Sequence, residues 1–329
     1  MIWLTWRQHR MQALAGVVLV GLTAVVFLPY GRSMRGAYTH DGIGACMAHG
    51  TGGDHCQSAL TAFMDQFNGI ANHLVTWFTL VPGLIGAIVG VSLLGREYEH
   101  GTWRLAWTQA VPRTRWLAVK ILLIGFGIVV VTASLSAVFG WFRNPMDQVS
   151  GRFAPGAFDL EGLSLTGYTF FAFAAGVLAG QLLRRTVPAI VTAVAAFTAV
   201  RIPVEFWLRQ RYQSPVTRIL DPTGNRTMGP GSIPTSPGAR GWTLGQALVD
   251  RTGHGLSSSL QDQISQKTSA FPTSAAGDAY LRGLGLHLKV VYQPAGRFWT
   301  FQVIEASLFT GLAAILLSIT IWHLHHRNT

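Results

Sequence analysis

The sequence predicts an all-α integral membrane protein that crosses the bilayer with six helices. Hydrophobic residues make up 49% of the chain and charged residues only 12%, which is more apolar than a water-soluble core requires. A hydrocarbon core about 30 Å thick needs roughly 20 apolar residues in a helix, and six runs of this kind carry few charges. The runs cover residues 11–28, 74–94, 116–139, 163–183, 186–202 and 301–322.

The first apolar run, residues 11–28, follows a basic amino end, as the apolar part of a signal peptide does. Pro29, Tyr30 and Gly31 follow it in place of a small-residue cleavage site. Trp3 and Trp6 in the preceding segment suit an anchor at the membrane interface. We therefore expect this run to be retained as the first span.

Basic residues in short loops stay on the cytoplasmic side of a membrane, so they predict the orientation of the spans. Ten basic residues fall on one face of the six-span arrangement. They are Arg7, Arg10, Arg96, Arg104, Arg113, Arg115, Lys120, Arg184, Arg185 and Arg327. Both termini are therefore predicted to be cytoplasmic. The net charge of +11 reflects this topology and a basic outer segment, and it predicts no nucleic-acid partner.

The opposite face is predicted to carry loops at residues 31–73 and 140–162 and a larger segment before the last span. This segment, residues 208–298, is rich in Gly, Pro, Ser and Thr and is expected to form an extracellular loop or small cap. Apolar residues at 244–249 and 279–288 predict two short helices within it.

Cys46 and Cys56 are the only cysteines, and the predicted topology places both outside the cell. An oxidising environment and nine intervening residues predict a disulfide between them. Imidazole and carboxylate side chains nearby raise the alternative of a metal site. They belong to His40, Asp41, His49, Asp54 and His55. Their spacing is irregular, so we predict no metal.

A polar insert at residues 95–120 separates the second and third spans and carries five basic residues. Two glutamates extend the end of the second span, Gly101 breaks the helix, and Thr102 can cap a short helix that ends before Pro112. The pattern predicts an amphipathic helix on the cytoplasmic face. An ordinary interfacial loop, with tryptophans among the headgroups and arginines on anionic lipid, is the alternative.

The insert resembles the loop between the second and third helices of type 2 ABC exporter permeases. The matching residues are Glu97-x-Glu99-x-Gly101-Thr102, Leu105, Pro112-Arg113 and Lys120. The sequence RLAWTQ followed by RWLAVK is similar to the corresponding segment in a group of actinobacterial permeases. Further similarity lies in GVLAGQLLRRTVPAI (176–190) and YQPAGRFWTFQVIE (292–305), so the resemblance covers nearly all spans and weakens in the outer loops.

The resemblance implies the type 2 ABC exporter permease fold in a bacterial cell membrane. It implies an interfacial helix at 1–12, five spans within 11–207 with a cytoplasmic coupling helix at 96–115, an outer segment at 208–298, a sixth span at 299–323 and a cytoplasmic tail at 324–329. The coupling helix would contact a separate ATP-binding subunit. The residues expected there are Glu97, Glu99, Gly101, Thr102, Trp103, Arg104, Leu105 and Trp107.

The implied assembly contains two ATP-binding subunits and a second permease chain, expected to be an identical copy. This chain has no GxxxxGK[ST] phosphate loop, since none of its three lysines follows that glycine pattern. We therefore expect a non-catalytic transport subunit that binds no cofactor directly, with ATP and Mg²⁺ on the partner. An apolar pathway points to a small amphipathic substrate.

Charged residues within the spans are candidates for function, because each is costly in a bilayer unless paired or hydrated. Arg201 and Glu205 lie four positions apart and can pair on one helical face, either as an ion pair at the membrane edge or as part of a substrate path. Glu305 has only Arg297 as a cation nearby in the sequence. It could cap the outer vestibule or bind another helix.

In the family that the insert resembles, the second and fifth helices face the central pathway. The residues that this implies are Trp77, Phe78, Pro82, Val194, Phe197 and Arg201, to which we add Glu205 and Glu305. Ordinary helix packing is the alternative for each of them. Pro82 and Gly83, with Gly86 and Gly90 after them, predict a kinked and closely packed second span.

Two other classes of function are open at the level of sequence. A membrane enzyme could use the outer His/Asp/Cys loop with Glu305, but no catalytic pair has a recognisable motif or spacing. An ATP-independent transporter would be expected to show internal repeats, and the sequence has no convincing repeat.

Overall fold

The structure, a computed structural model, describes residues 2–49, 54–99, 113–221, 240–271 and 274–326. The predicted coupling helix at 96–115 falls largely outside these ranges. Its residues Gly101, Thr102, Trp103, Arg104, Leu105 and Trp107 all lie outside the described residues. Glu97 and Glu99 belong to the end of a described helix. The coupling helix therefore stays a prediction.

The described part of the first half of the chain is helical apart from turns at residues 41–42 and 79–80. Its elements are α1 (Ile2–His40), α2 (Ile43–His49), α3 (Asp54–Asn68), a π-helical segment (Gly69–Leu74), α4 (Val75–Phe78), α5 (Val81–Glu99) and α6 (Arg113–Ser150).

The second half adds a small sheet between two long helices. Its elements are α7 (Pro155–Leu160), α8 (Ser164–Leu183), α9 (Thr186–Pro203), a π-helical turn (Val204–Leu208), a 3-10 turn (Arg209–Arg211), β1 (Val216–Leu220), β2 (Trp242–Val249), α10 (Ser258–Ser269), α11 (Ser274–Gly283), β3 (His287–Gln293), a second 3-10 turn (Ala295–Arg297) and α12 (Phe298–His326).

Five helical stretches among the described residues are long and apolar enough to cross a membrane, which makes the chain a multi-pass membrane protein. They are Arg10–His40, Ala118–Ser150, Ser164–Leu183, Thr186–Arg211 and Ala295–His326. The second predicted span contributes only a shorter apolar helix, Val81–Leu93. The prediction of a helical, multi-pass chain is confirmed, and the sixth crossing stays a prediction.

Two helices are much longer than a bilayer requires. α1 has 39 residues and α6 has 38, so at 1.5 Å per residue each is about 57 Å long against a hydrocarbon core of about 30 Å. The loops predicted after residues 30 and 139 are wrong, because both helices continue there. Met34 and Phe142 on the extensions are fully buried in one apolar core, which explains why the helices continue.

The amino-terminal segment also differs from the prediction of a separate interfacial helix at residues 1–12. Residues 2–12 belong to α1 without a break, and Pro29 lies inside the same helix. On the side of the extensions, a disulfide joins Cys46 of α2 to Cys56 of α3. The buried residues of α3 pack into the same apolar core as those of α1 and α6.

α8 is the central span of the chain. It packs against α5, α6, α9 and α12, and it is the most buried of the candidate spans. Its approach to α5 is close because small residues meet there: a Cβ atom added at Gly176 would lie 2.6 Å from the Ala87 carbonyl oxygen, and Gly86 and Gly90 face the α8 backbone in the same way. The close packing expected from these glycines is present.

The second predicted run is divided by a turn at residues 79–80, after which α5 begins at Val81. Pro82 therefore lies in the first turn of α5, where the missing N–H removes no helical hydrogen bond. The kink expected within one long helix is instead a break between two helices.

The segment between α9 and α12 contains an antiparallel sheet with the strand order β1-β3-β2. The all-α prediction is wrong for this segment, and so is the helix predicted at 244–249, which is part of β2. These residues form a strand because β3 supplies its hydrogen-bond partners and Leu248 is buried in an apolar cluster with Ile264, Leu281 and Leu286. The region predicted as helix at 279–288 divides between α11 and the start of β3.

Candidate functional site

Five buried polar side chains converge where α7, α8, α9 and α12 meet, at the end of the spans that faces the sheet. We call them the charge cluster. They are Asp159, Tyr168, Arg201, Arg209 and Glu305, and none is more than 6% exposed. The four helices and the 3-10 turn at Arg209–Arg211 that supply them are thereby joined by side-chain hydrogen bonds.

Arg209 lies at the centre of the charge cluster. Its Nε and Nη2 donate to the two carboxylate oxygens of Glu305 at 2.9 and 2.7 Å. Nη2 also donates to Asp159 Oδ1 at 2.7 Å and to the Tyr168 hydroxyl at 3.1 Å. One guanidinium thus joins the start of α12 to α7 and α8, in the two-pronged geometry that favours arginine over lysine.

Arg201 supplies the second cation of the charge cluster. Its Nη2 lies 2.5 Å from Asp159 Oδ2 and 3.5 Å from Glu205 Oε2. Its guanidinium also lies 4.6 Å from the centre of the Tyr168 ring. The predicted Arg201–Glu205 contact is present, but Asp159 on another helix is the closer partner.

Two tyrosines complete the hydrogen bonding of the carboxylates. Tyr168 donates its hydroxyl proton to Glu305 Oε1, and the Tyr212 hydroxyl donates to Glu305 Oε2 at 3.2 Å. Burial and the negative charge of Glu305 raise the pKa of the Tyr212 phenol, so it stays protonated as a donor. Glu305 therefore accepts hydrogen bonds from one arginine and two tyrosines.

A π-helical turn explains how Arg201 and Arg209 reach the same carboxylate. In an α-helix, residues eight positions apart lie about 80° apart around the axis, since 3.6 residues make one turn. Residues 204–208 instead form a π-helical turn, and the Arg209 N–H binds the Val204 carbonyl five residues back. The wider turn rotates the chain less per residue, which returns Arg209 toward the face of Arg201. Such turns often occur at functional positions.

The charge balance of this site makes its side chains interdependent. Arg201 and Arg209 provide two positive charges against the carboxylates of Asp159, Glu305 and the partly exposed Glu205. Removing one partner of a buried ion pair leaves an uncompensated charge, which costs about 3–5 kcal/mol. The charge cluster therefore holds four helices and the 3-10 turn together, and its five residues include no nucleophile paired with a base.

The structure brings together only part of the predicted pathway set. Arg201, Glu205 and Glu305 lie in or beside the charge cluster, and Phe197 packs against Tyr168. Trp77 is 74% exposed. The other predicted residues lie elsewhere: Phe78 packs with the apolar core of α1 and α6, Pro82 is buried near the start of α5, and Val194 packs on the alanine-rich contact of α5, α8 and α9.

Sequence reasoning missed Asp159, Tyr168 and Arg209. Asp159 was assigned to an outer loop, and Arg209 falls beyond the predicted end of the fifth span. The eight-residue spacing from Arg201 to Arg209 is a signal in the sequence, but it places the two arginines on the same helical face only if the helix contains a wider, π-helical turn between them. Arg297, the cation expected near Glu305, binds the Ser214 carbonyl oxygen and the Gln293 side chain instead.

A second set of charges lines an open cleft between α6, the 152–161 segment and the sheet segment. We call it the polar cleft. Its volume is about 370 Å³, and its lining includes Asn144, Asp147, Gln148, Arg152, Glu161 and Arg240. Arg143 lies beneath it, fully buried, with its Nε 3.2 Å from Asp147 Oδ1 and 3.7 Å from Glu161 Oε1.

The predicted outer His/Asp/Cys loop brings few of its described polar side chains into contact with one another. His40 contacts its neighbour Asp41 at 2.9 Å on the surface, and Cys46 and Cys56 form the disulfide. Within the described ranges, no three His, Cys, Asp or Glu side chains are placed to hold a metal ion. The part of this loop that the structure describes offers no catalytic arrangement.

The comparison with protein families gives one result. The family described as ABC-2 membrane transporter related matches residues 16–209, which is more than half of the 329 residues. The match includes four members of the charge cluster and ends before β1, so Glu305 lies outside it. No curated protein and no solved structure gives a significant match to the chain.

Proposed function

Since the chain belongs to the ABC-2 membrane transporter related family, we propose that it is the permease subunit of an ATP-driven ABC exporter in a bacterial cell membrane. The observation that carries this proposal is the family match across residues 16–209. That range contains most of the first candidate span, the short apolar helix of α5 and nearly all of the next three spans. A transport subunit of this kind is not itself catalytic.

We assign ATP hydrolysis to two copies of a separate ATP-binding subunit, which would also hold ATP and Mg²⁺. The absence of a phosphate loop from this sequence supports that division. The coupling element is assigned to residues 96–115, with Glu97, Glu99, Gly101 and Thr102 at its contact face. Nucleotide-driven movement of the partner would reach the spans through α5 and α6, which flank this element.

We further propose that two copies of the chain enclose the substrate path. α5 and α9 pack against each other, and each keeps an apolar face exposed. The exposed residues include Leu84 and Ile88 of α5 and Val187 and Val191 of α9. This shared face is our candidate for the dimer axis and the path of a small amphipathic substrate. Phe197 and Val194 lie behind it as packing residues.

Co-purification from the native membrane tests the coupling role. The tagged chain is expected to recover an ATPase in stoichiometric amount, and Glu97→Arg/Gly101→Trp is expected to lose most of it, because charge reversal and bulk would block docking. Asp262→Arg/Gly283→Trp is the matched control, since both residues are exposed in the sheet segment. Both variants are compared with the wild type by size-exclusion profile and by ATP hydrolysis in the eluate.

Recovery of no ATPase with the wild-type chain under gentle detergent conditions would contradict the exporter proposal. Equal loss of the ATPase from both double variants would instead show that Glu97 and Gly101 have no special role in docking.

Cysteine labelling tests the proposed orientation. We expect Ser259→Cys to react with a membrane-impermeant maleimide on intact cells, because it is exposed on the sheet side. Asn328→Cys is expected to react only after the cells are permeabilised. The wild-type chain gives the background, because its two cysteines are joined in a disulfide. The reverse labelling pattern would contradict the proposed orientation and show that the termini lie outside the cell.

A further inference from the structure

The polar cleft has the size and chemistry of a ligand site that the exporter role does not use. Its volume of about 370 Å³ falls within the range of about 300–1,000 Å³ that is typical of small-molecule sites. It opens between the carboxyl end of α6 and the sheet segment, away from the proposed substrate face of α5 and α9.

The depth of the cleft in the membrane follows from its walls. On α6, its lining begins at Gly140, where the apolar run of the third span ends, and across the cleft it includes Ala295, at the start of the last candidate span. Trp141 and Trp299 beside these positions are both exposed. Exposed tryptophans at span ends mark the headgroup layer. The cleft therefore lies at the level of lipid headgroups on the sheet side.

The cationic half of the cleft can bind a phosphate group. Arg152 donates through Nε and Nη2 to Glu161 Oε2, at 3.1 Å in both cases, and its side chain is still 38% exposed. Its guanidinium lies 4.1 Å from the centre of the Phe298 ring, which holds it in place at the wall. Arg240 is exposed at the rim. Two arginines at one opening suit a phosphate diester.

One buried carboxylate oxygen beside the cleft has no hydrogen-bond donor among the described residues. Glu161 is 1% exposed, and its Oε1 accepts no hydrogen bond from the described residues. The nearest cationic atom described for it is Arg143 Nε at 3.7 Å, beyond hydrogen-bond distance. A buried carboxylate oxygen without a donor is unfavourable, so a ligand hydroxyl or ammonium would be stabilised here.

The formal charge of the cleft selects between these two donors. Three arginines, Arg143, Arg152 and Arg240, stand against two acidic residues, Asp147 and Glu161, so the positive groups are in excess. A phosphate diester with hydroxyl groups carries −1 and reduces this excess. A diester with an ammonium group carries no net charge and leaves the excess in place.

We propose that the polar cleft binds an anionic phosphate diester that carries hydroxyl groups, as in the headgroup of phosphatidylglycerol. The phosphate lies between Arg152 and Arg240, and a glycerol hydroxyl donates to Glu161 Oε1. This inference goes beyond the exporter role and does not depend on ATP coupling. It assigns the cleft to a bound lipid that connects the sheet segment to the end of α6.

Native mass spectrometry of the purified chain, titrated with phosphatidylglycerol, phosphatidylethanolamine and phosphatidylcholine, tests the proposal. We expect one phosphatidylglycerol per chain to be retained in preference to the other two lipids. Arg240→Gln is expected to weaken this binding about tenfold or more, since a hydrogen bond to a charged group contributes that much. Arg251→Gln changes another exposed arginine elsewhere in the sheet segment and should leave binding unchanged.

A cleft-filling variant gives an independent readout. A Cβ atom at Gly140 would lie 4.0 Å from the nearest Glu161 atoms, so Gly140→Leu extends toward Glu161 without a backbone clash. We expect it to abolish retention of phosphatidylglycerol. Gly127→Leu, on the same helix and facing open space, is the matched control.

Three outcomes would overturn the proposal: equal retention of the three lipids, equal weakening by Arg240→Gln and Arg251→Gln, or unchanged binding to Gly140→Leu. Glycerophosphoglycerol, which has the same phosphate diester and hydroxyl groups without acyl chains, distinguishes the source of the ligand. Binding of glycerophosphoglycerol as tight as that of the lipid would support the assigned chemistry and identify a soluble ligand as its source.

Discussion

Arg209→Met is expected to destabilise the folded chain by about 3–5 kcal/mol, because it removes the cation that binds Glu305 and Asp159 in the buried charge cluster. The three hydrogen bonds from Arg209 to these two carboxylates measure 2.7–2.9 Å. After the substitution, the hydrogen bonds to Glu305 that remain among the described residues come from the hydroxyls of Tyr168 and Tyr212, which carry no compensating charge. Unfolding in mixed micelles with increasing dodecyl sulfate measures the change.

Arg211→Met is the matched control, with the same substitution two residues further along the chain. Arg211 is exposed, and its described contacts are a 3.5 Å hydrogen bond to the Trp207 carbonyl oxygen and a guanidinium 4.4 Å from the centre of the Trp207 ring. A change below about 1 kcal/mol is expected, as for other exposed charges. Equal destabilisation by the two variants would contradict the role given to Arg209.

A double variant separates the loss of the pair from the cost of a lone buried charge. Glu305→Gln keeps an oxygen that can accept from Tyr168 and Tyr212 but removes the negative charge. If the uncompensated carboxylate causes most of the loss, Arg209→Met/Glu305→Gln is more stable than Arg209→Met alone. Strict additivity of the two single changes would show that Arg209 and Glu305 do not interact.

The span boundaries that the sequence predicted best are those with a local stop signal. The fourth and fifth spans were expected at 163–183 and 186–202, and the helices run Ser164–Leu183 and Thr186–Pro203. Arg184 and Arg185 interrupt the apolar pattern, and Arg184 adopts the left-handed backbone conformation that ends many helices. Composition and backbone geometry agree at this position.

The long extensions of α1 and α6 could not be predicted in this way. Hydropathy measures the part of a helix that fits the hydrocarbon core, and it carries no information on where the helix ends in water. Met34 and Phe142 are buried by contacts between segments that are about a hundred residues apart. Only tertiary packing shows that these residues prolong helices and do not begin loops.

The charge cluster shows the same limit at the candidate site. Spacing of four residues predicted the Arg201–Glu205 contact, which is present at 3.5 Å, because both residues lie on one helix. Asp159, the closer partner of Arg201, lies 42 residues away in sequence. Arg209 joins them through a π-helical turn that the sequence pattern did not indicate. Local periodicity therefore predicted one contact and missed the central cation.

Gly176→Ala is expected to destabilise the chain, although the same change normally favours a helix by about 1 kcal/mol. The added Cβ would lie 2.6 Å from the Ala87 carbonyl oxygen and 3.0 Å from the Val91 nitrogen, both in the backbone of α5. Backbone atoms cannot rotate away as a side chain does, so α5 and α8 must separate. Overpacking of this kind costs about 1–3 kcal/mol, and Gly90→Ala on the facing helix should act in the same direction.

Gly127→Ala and Gly311→Ala are the matched controls for the contact between α5 and α8. Both positions lie in long apolar helices, and a Cβ atom there would meet no other atom within 4 Å. The controls should be neutral or more stable than the wild type, so the expected effects differ in sign as well as in size. Thermal unfolding in detergent compares the four variants. If Gly176→Ala were more stable than the wild type, α5 and α8 would have to be far enough apart to accept the added methyl group. The close contact between α5 and α8 at the centre of the fold would then be wrong.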